Sequence, residues 1–159
     1  MKRSGFTMIE LIFVIVILGI LAAVAIPKLA ATRDDAKISK VKSDLSTIIS
    51  DMGAYYTSQG QTQWAAAKIT DATNAELFTD TKGATPVTTA TALAGGTFYL
   101  VANPGATTAS DCFKLVTTTD GNVTVSNGSD TTSTVCSNVQ ASAKSLVKDH
   151  SFGGVGIVR

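Results

Sequence analysis

The sequence predicts an α+β protein: a long N-terminal helix, membrane-spanning in its first half and amphipathic in its second, packed on a small antiparallel β-sheet head. Three observations predict it. An apolar run of membrane-spanning length lies near the N-terminus, apolar residues recur at alternating steps of three and four beyond it, and a polar C-terminal part holds short strand-like segments separated by turn residues. At 159 residues the chain has room for one globular domain with one extension. With 13 Lys plus Arg against 12 Asp plus Glu, it sets up no field that would concentrate polyanions. No nucleic-acid contact is expected.

Leu11 to Ile26 is an unbroken run of apolar residues and Gly, and extending it back to Phe6 admits a single charge, Glu10. A helix from Phe6 to Ile26 would span roughly 31 Å, close to the hydrocarbon thickness of a bilayer, so it can cross once. The residues ahead of the run are Lys2, Arg3, Ser4 and Gly5. An ordinary secretory signal places a small-residue cleavage site after its apolar core. Here the small residues come before it, so cleavage after Gly5 would leave the whole anchor on the mature protein. Positive charge stays cytoplasmic, which puts the long polar part on the far side of the inner membrane.

Glu10 lies inside this apolar helix, where a carboxylate costs at least about 2.5 to 3.5 kcal/mol. Such a charge needs a partner. Cleavage after Gly5 would create an amine on Phe6 one turn away, and a Phe6 amine could equally meet the Glu10 of a staggered neighbour, offsetting part of each group's desolvation and fixing their register. The plainer alternative is a Glu10 that sits among lipid headgroups with no specific role.

Gly5-Phe6-Thr7-Met8-Ile9-Glu10-Leu11 resembles the prepilin cleavage and N-methylation motif of type IV pilins and type II secretion pseudopilins. The resemblance covers Lys2 to about Lys28. It implies that residues 1–5 are a leader peptide, that Phe6 is the new, N-methylated N-terminus, and that Glu10 guides subunit docking. It further implies a transmembrane and assembly helix over 6–27, an amphipathic stem over 28–59 and a pilin-like head over 60–159. Gly19 and Pro27 fall where the family's helix is flexible, and Pro27 lacks the N–H of a regular helical bond, so a kink or a locally melted turn is expected there.

After Pro27 the apolar positions Ile38, Val41, Leu45, Ile48, Met52 and Tyr55 alternate with Lys, Asp and Ser, the pattern of an amphipathic helix whose stripe packs on the chain's own sheet. Gly60 is the expected stop. A short helix is expected near Ala72 to Phe78, with a Thr- and Ala-rich loop after Pro86. Thr97 to Val101 reads as a strand, and Phe113 to Thr118 pairs with Val123 to Ser126 across Thr119-Asp120-Gly121-Asn122. Ala141 to Val147 reads as a helical turn and Gly156 to Val158 as a last strand.

The two cysteines, Cys112 and Cys136, both lie in the polar part. In an exported domain they read as one disulfide, closing a 112–136 loop; two buried free thiols are the alternative. The family resemblance agrees, since many type IV pilins close a loop near the C-terminus this way, although here a longer segment follows the second cysteine.

No reactive cluster is legible. His150 is the single histidine and has no neighbours at metal-ligand spacing, and neither a nucleophile-elbow Ser nor a phosphate loop occurs. Asp111, Asp120, Asp130 and Asp149 do not form a calcium-loop pattern. The chain is therefore expected to be no enzyme, with no catalytic residue, metal or cofactor. Asn122-Val123-Thr124 and Asn127-Gly128-Ser129 are glycosylation sequons of a kind that arises easily in a Ser- and Thr-rich region.

The functional expectation is a structural subunit of a type IV pilus or type II secretion pseudopilus, assembled into a homo-oligomeric or mixed filament for secretion, DNA uptake or adhesion. The implied partners are the inner membrane, the prepilin peptidase and methyltransferase, and the assembly ATPase and platform proteins of the machine. The implied location is single-pass in a bacterial inner membrane with the head in the periplasm, then in the pseudopilus or surface pilus. The alternative is a monomeric membrane-tethered binding module whose head recognises a ligand.

Overall fold

The computed structural model describes residues 5–153. Lys2, Arg3 and the expected strand over Gly156 to Val158 lie outside them. The elements in order are α1 (Met8–Ala66), α2 (Ile69–Ala72), β1 (Thr97–Val101), β2 (Asp111–Thr117), β3 (Asn122–Asn127), α3 (Thr134–Ser142) and β4 (Asp149–Ser151). The chain divides into two compact units, Met1–Ala36 and Lys37–Arg159.

The first unit is the N-terminal part of α1, with its described side chains exposed throughout. Its helical backbone runs through Gly19 and Pro27, and Gly60 is the only residue of α1 with non-helical φ and ψ. The expected melted turn at Gly19 or Pro27 is therefore absent. A proline forfeits a single backbone bond, and the turns on either side, built from strong helix formers such as Leu21, Ala22, Ala23, Leu29, Ala30 and Ala31, hold the conformation across it.

In the second unit the later part of α1 lies on an antiparallel sheet of order β1-β2-β3-β4. The expected stripe is the buried face: Val41, Leu45, Ile48 and Met52 are buried, with Ile38 and Tyr55 at its margins. Register carries the opposing layer, since Phe98 pairs with Leu115 and Leu115 with Val125. These three therefore form one row across three strands, and all belong to the same apolar cluster as the helix stripe. Strands of alternating pattern bury one face in this way. The outer edge of β1 is closed by Phe78, whose N–H donates to Tyr99 O at 3.0 Å and whose carbonyl accepts from Tyr99 N at 2.8 Å. An edge paired in this way is shielded from strands of other molecules.

Gly60 breaks the helix where the stop is expected. With φ 75° and ψ 175° it adopts a conformation essentially confined to glycine, re-aims the chain, and lets the helix resume to Ala66. The re-aimed turn brings Trp64 into the core, where its Nε1–H donates to Thr118 O at 2.7 Å, and Gln61 Nε2 donates to Asp120 Oδ1 at 3.0 Å. Both partners lie on the β2–β3 turn. Tyr56 and Phe152 stack edge-on against Trp64, with ring centroids 5.6 and 6.4 Å away. In the same turn Gly121 has φ 81°, and a Cβ there would collide with the Tyr56 ring.

Two further elements are displaced from expectation. The short helix forms at Ile69–Ala72, not Ala72 to Phe78, because Phe78 is drawn into its bridge with Tyr99 and Asp71 caps the backbone N–H of Lys68 at 2.9 Å. The later helix forms at Thr134–Ser142, not Ala141 to Val147, because Ser133 supplies its N-cap, accepting from Cys136 N, and Cys136 is tied to the start of β2.

Candidate functional site

Within the first unit the candidate site is the N-terminal turn of α1. Phe6 precedes the helix and is 87% exposed. Thr7 is the N-cap residue. Its N–H and its hydroxyl both donate to Glu10 Oε2 at 2.8 Å, while Glu10 N–H donates to Thr7 Oγ1 at 3.3 Å. This reciprocal arrangement is a capping box, which satisfies orphan backbone donors at a helix start and sets a negative charge against the positive end of the helix dipole. It fixes the carboxylate beside the chain position that cleavage after Gly5 would turn into an amine. Oε2 takes both Thr7 bonds, whereas Oε1 has no hydrogen-bond partner among the described residues. The carboxylate can thus serve its own helix start and still accept from a second group.

Thr7 was absent from the functional residues expected from sequence. Its signal was present, because a Thr or Ser three residues before an acidic residue, just ahead of an apolar run, is a helix-start signature. In an apolar run Glu10 stands out as an isolated charge, which draws the eye from its pairing with Thr7 as a local cap. Gly5 and Gly19 have no neighbouring atoms where a Cβ would stand, so within the chain neither glycine is required by a close contact.

Beyond Glu10 the apolar side chains face outward: Ile12, Phe13, Ile15, Leu18, Leu21 and Val24 are all more than half exposed. Among the described residues α1 is the one helix long and apolar enough to cross a membrane, and none of its most apolar window is buried. Apolar surface of that extent requires lipid or other helices around it.

In the second unit Cys112 and Cys136 are joined by a disulfide, both fully buried, linking the start of β2 to α3. Two buried carboxylates flank it. Asp111 accepts from Ser129 N at 2.8 Å and from Ser129 Oγ at 2.7 Å, and Asp130 accepts from Thr132 N, Thr132 Oγ1 and Ser133 N, each at 3.0 Å. Burial pushes the Asp130 carboxyl up, but the Ser133 and Thr132 donors outweigh it and hold it below the ordinary carboxylate value. These carboxylates bind backbone N–H groups and hydroxyls of the 129–133 loop. Among the described residues no group of three or more His, Cys, Asp or Glu side chains is placed to hold a metal. His150 is pinned through Nε2 to Leu146 O at 2.9 Å while its backbone pairs with Val123, a structural role.

Fold and site together define a class: an α+β head continuous in sequence with an exposed apolar helix whose first turn carries an acidic residue in a capping box. A family signature described as the prokaryotic N-terminal methylation motif matches residues 1–26. The chain is 43% identical over 54 residues to the type II secretion system core protein G of Pseudomonas aeruginosa, a match covering 34% of this chain and 38% of that protein. The same-named proteins of Klebsiella michiganensis and Escherichia coli are 43% and 35% identical over 54 residues, covering 38% and 37% of their lengths. The matched segment thus spans well under half of these relatives. No solved structure gives a significant match. The N-terminal segment of this chain thus carries the methylation motif and is similar to the same segment of these secretion proteins, and its apolar helix is long enough to anchor in a membrane.

Proposed function

We propose that the chain is a structural subunit of a type II secretion pseudopilus or a related type IV pilin filament, and not an enzyme. The observation that carries this reading is the methylation signature over residues 1–26 laid on a helix whose apolar side chains stand exposed among the described residues. Similarity to core protein G of type II secretion systems favours the pseudopilus over a surface pilus used for adhesion or DNA uptake.

In this reading a prepilin peptidase removes residues 1–5 and the new Phe6 amine is N-methylated. Residues 6–27 anchor the subunit in the inner membrane with residues 60–159 in the periplasm, the 28–59 stem joining them. A cytoplasmic ATPase working through platform proteins then lifts the subunit out of the bilayer. Its apolar helix leaves lipid for a bundle of like helices, a head-to-tail contact that does not close and so grows as a helical filament. Glu10 supplies the counter-charge for a neighbour's Phe6 amine. Loss of that charge would leave the amine buried and unpaired, an arrangement that costs several kcal/mol.

The test is intact-mass analysis of the protein taken from membranes and from sheared filaments. The expected species begins at a methylated Phe6 and occurs in both fractions. A chain that keeps residues 1–5, or that never leaves the membrane fraction, would instead favour a monomeric tethered binding module.

A further inference from the structure

The stretch of α1 just past the apolar run carries opposite charges that do not pair among the described residues. Among the described residues ion pairs join Lys40 to Asp44 and to Glu76, while Lys28 and Asp35 are exposed and without an ionic partner. Both stand in unbroken helical backbone. Seven residues is about 20° short of two full turns, so they share one helix face, separated by about 10.5 Å along the axis. Pairs three or four residues apart meet on a helix surface, and seven is too far. Arg33 and Asp34 lie about 120° to 140° around the helix from Lys28. The residues between Lys28 and Asp35 nearest this face are the small Ala31 and Thr32, which leave a second helix room to approach.

We propose that Lys28 and Asp35 are the two halves of a contact between copies of this chain, whose N-terminal helices run parallel with a stagger of seven residues, about 10.5 Å. This rests on the filament reading given above. In that stagger Asp35 of one copy stands level with Lys28 of the next, and each copy keeps one free group for the neighbour on its other side, so the contact repeats without closing. With no stagger, Lys28 would face Lys28 and Asp35 would face Asp35, a like-charge arrangement that interfaces avoid. The charge order therefore selects the register. One exposed pair is weak in water, but this one recurs at every subunit step and gains strength where neighbouring apolar helices exclude solvent.

The experiment uses the full-length chain in cells that assemble it, at matched membrane levels. Filament fractions are compared for wild type, Lys28→Asp, Asp35→Lys and the double exchange, and co-expressed Lys28→Cys and Asp35→Cys chains are oxidised. Each single reversal is expected to lower filament recovery at least about five-fold, because like charges then meet at every step. The double exchange is expected to return it to within about two-fold of wild type, the signature of a direct pair. Cross-links should join position 28 to 35. Single variants that assemble normally, an exchange as defective as its parents, or cross-links joining 28 to 28 would overturn the proposal while leaving the filament reading intact. A failed exchange would make Lys28 a lipid-headgroup anchor. Wild type missing from filaments would overturn both readings.

Discussion

Thr7 and Glu10 hold each other across the first turn of the N-terminal helix: two Thr7 donors meet one carboxylate oxygen at 2.8 Å, and the Glu10 N–H returns a bond to the Thr7 hydroxyl. The residue proposed above to pair with a neighbouring subunit thus also takes part in starting its own helix. Thr7→Val keeps the side-chain shape and removes the hydroxyl, so it should weaken the first turn by about 1 kcal/mol. Faster amide exchange at residues 8–10 in detergent micelles, with filament recovery reduced but not lost, is the expected result. Unchanged exchange would mean that the box does not set the helix start.

Gly60→Ala tests the break that delivers Trp64 to the core. Open space surrounds the Cβ position, so no collision is involved, yet φ 75° and ψ 175° should cost an alanine about 1 to 3 kcal/mol. Urea unfolding of the full chain, followed by the fluorescence of its single tryptophan, should show a lower midpoint. An unchanged midpoint would mean that the chain turns some other way.

Much of the second unit was legible because its signals are local and periodic. The stripe from Ile38 to Tyr55 and the strand Thr97–Val101 follow the pattern of their apolar residues, and the β2–β3 hairpin follows its Asp120-Gly121-Asn122 turn. What escaped depends on contacts between distant residues. The break at Gly60 is legible, but the helix that resumes beyond it to Ala66 is not, unless Thr118 is known to await Trp64, and Ala72 to Phe78 looks helical until Tyr99 claims Phe78. β4, Asp149-His150-Ser151, has no β pattern at all and exists because Asn122 to Thr124 offers it a ladder. Glu10 is conspicuous as a charge in an apolar run, whereas its bond to Thr7 is a local signal that the larger motif masks.

Reducing the Cys112–Cys136 bond should destabilise the second unit by about 3.5 kcal/mol on the chain-entropy model, given the 24-residue separation. The comparison is urea unfolding of the full chain with and without a reductant that opens the bond, verified by thiol alkylation. Identical midpoints with both thiols alkylated would contradict the bond's stabilising role.

Asp130 should make stability fall in acid. Its folded-state carboxyl titrates below the ordinary value of about 3.9. Its contribution is therefore complete above about pH 4 and is lost as pH falls toward the folded-state value, because the unfolded chain takes up the proton first. Asp130→Asn should lower stability at pH 7 by about 1 to 3 kcal/mol through its weakened loop bonds, and lose less than wild type on going to pH 3. Equal losses for both proteins would assign the acid dependence to other groups.

The central claim, that Glu10 acts between subunits and not only as a cap, is tested most directly by Glu10→Gln. The amide oxygen can still accept from Thr7, so the helix start survives, but the charge for a neighbour's Phe6 amine is gone. Wild type, Glu10→Gln and Glu10→Leu are compared at matched membrane levels, with cleavage after Gly5 verified for each, and the subunit is quantified in sheared filaments. Both variants are expected to insert and keep a folded head yet to be strongly depleted from filaments. Incorporation of Glu10→Gln equal to wild type would contradict the claim and leave Glu10 with a capping role alone.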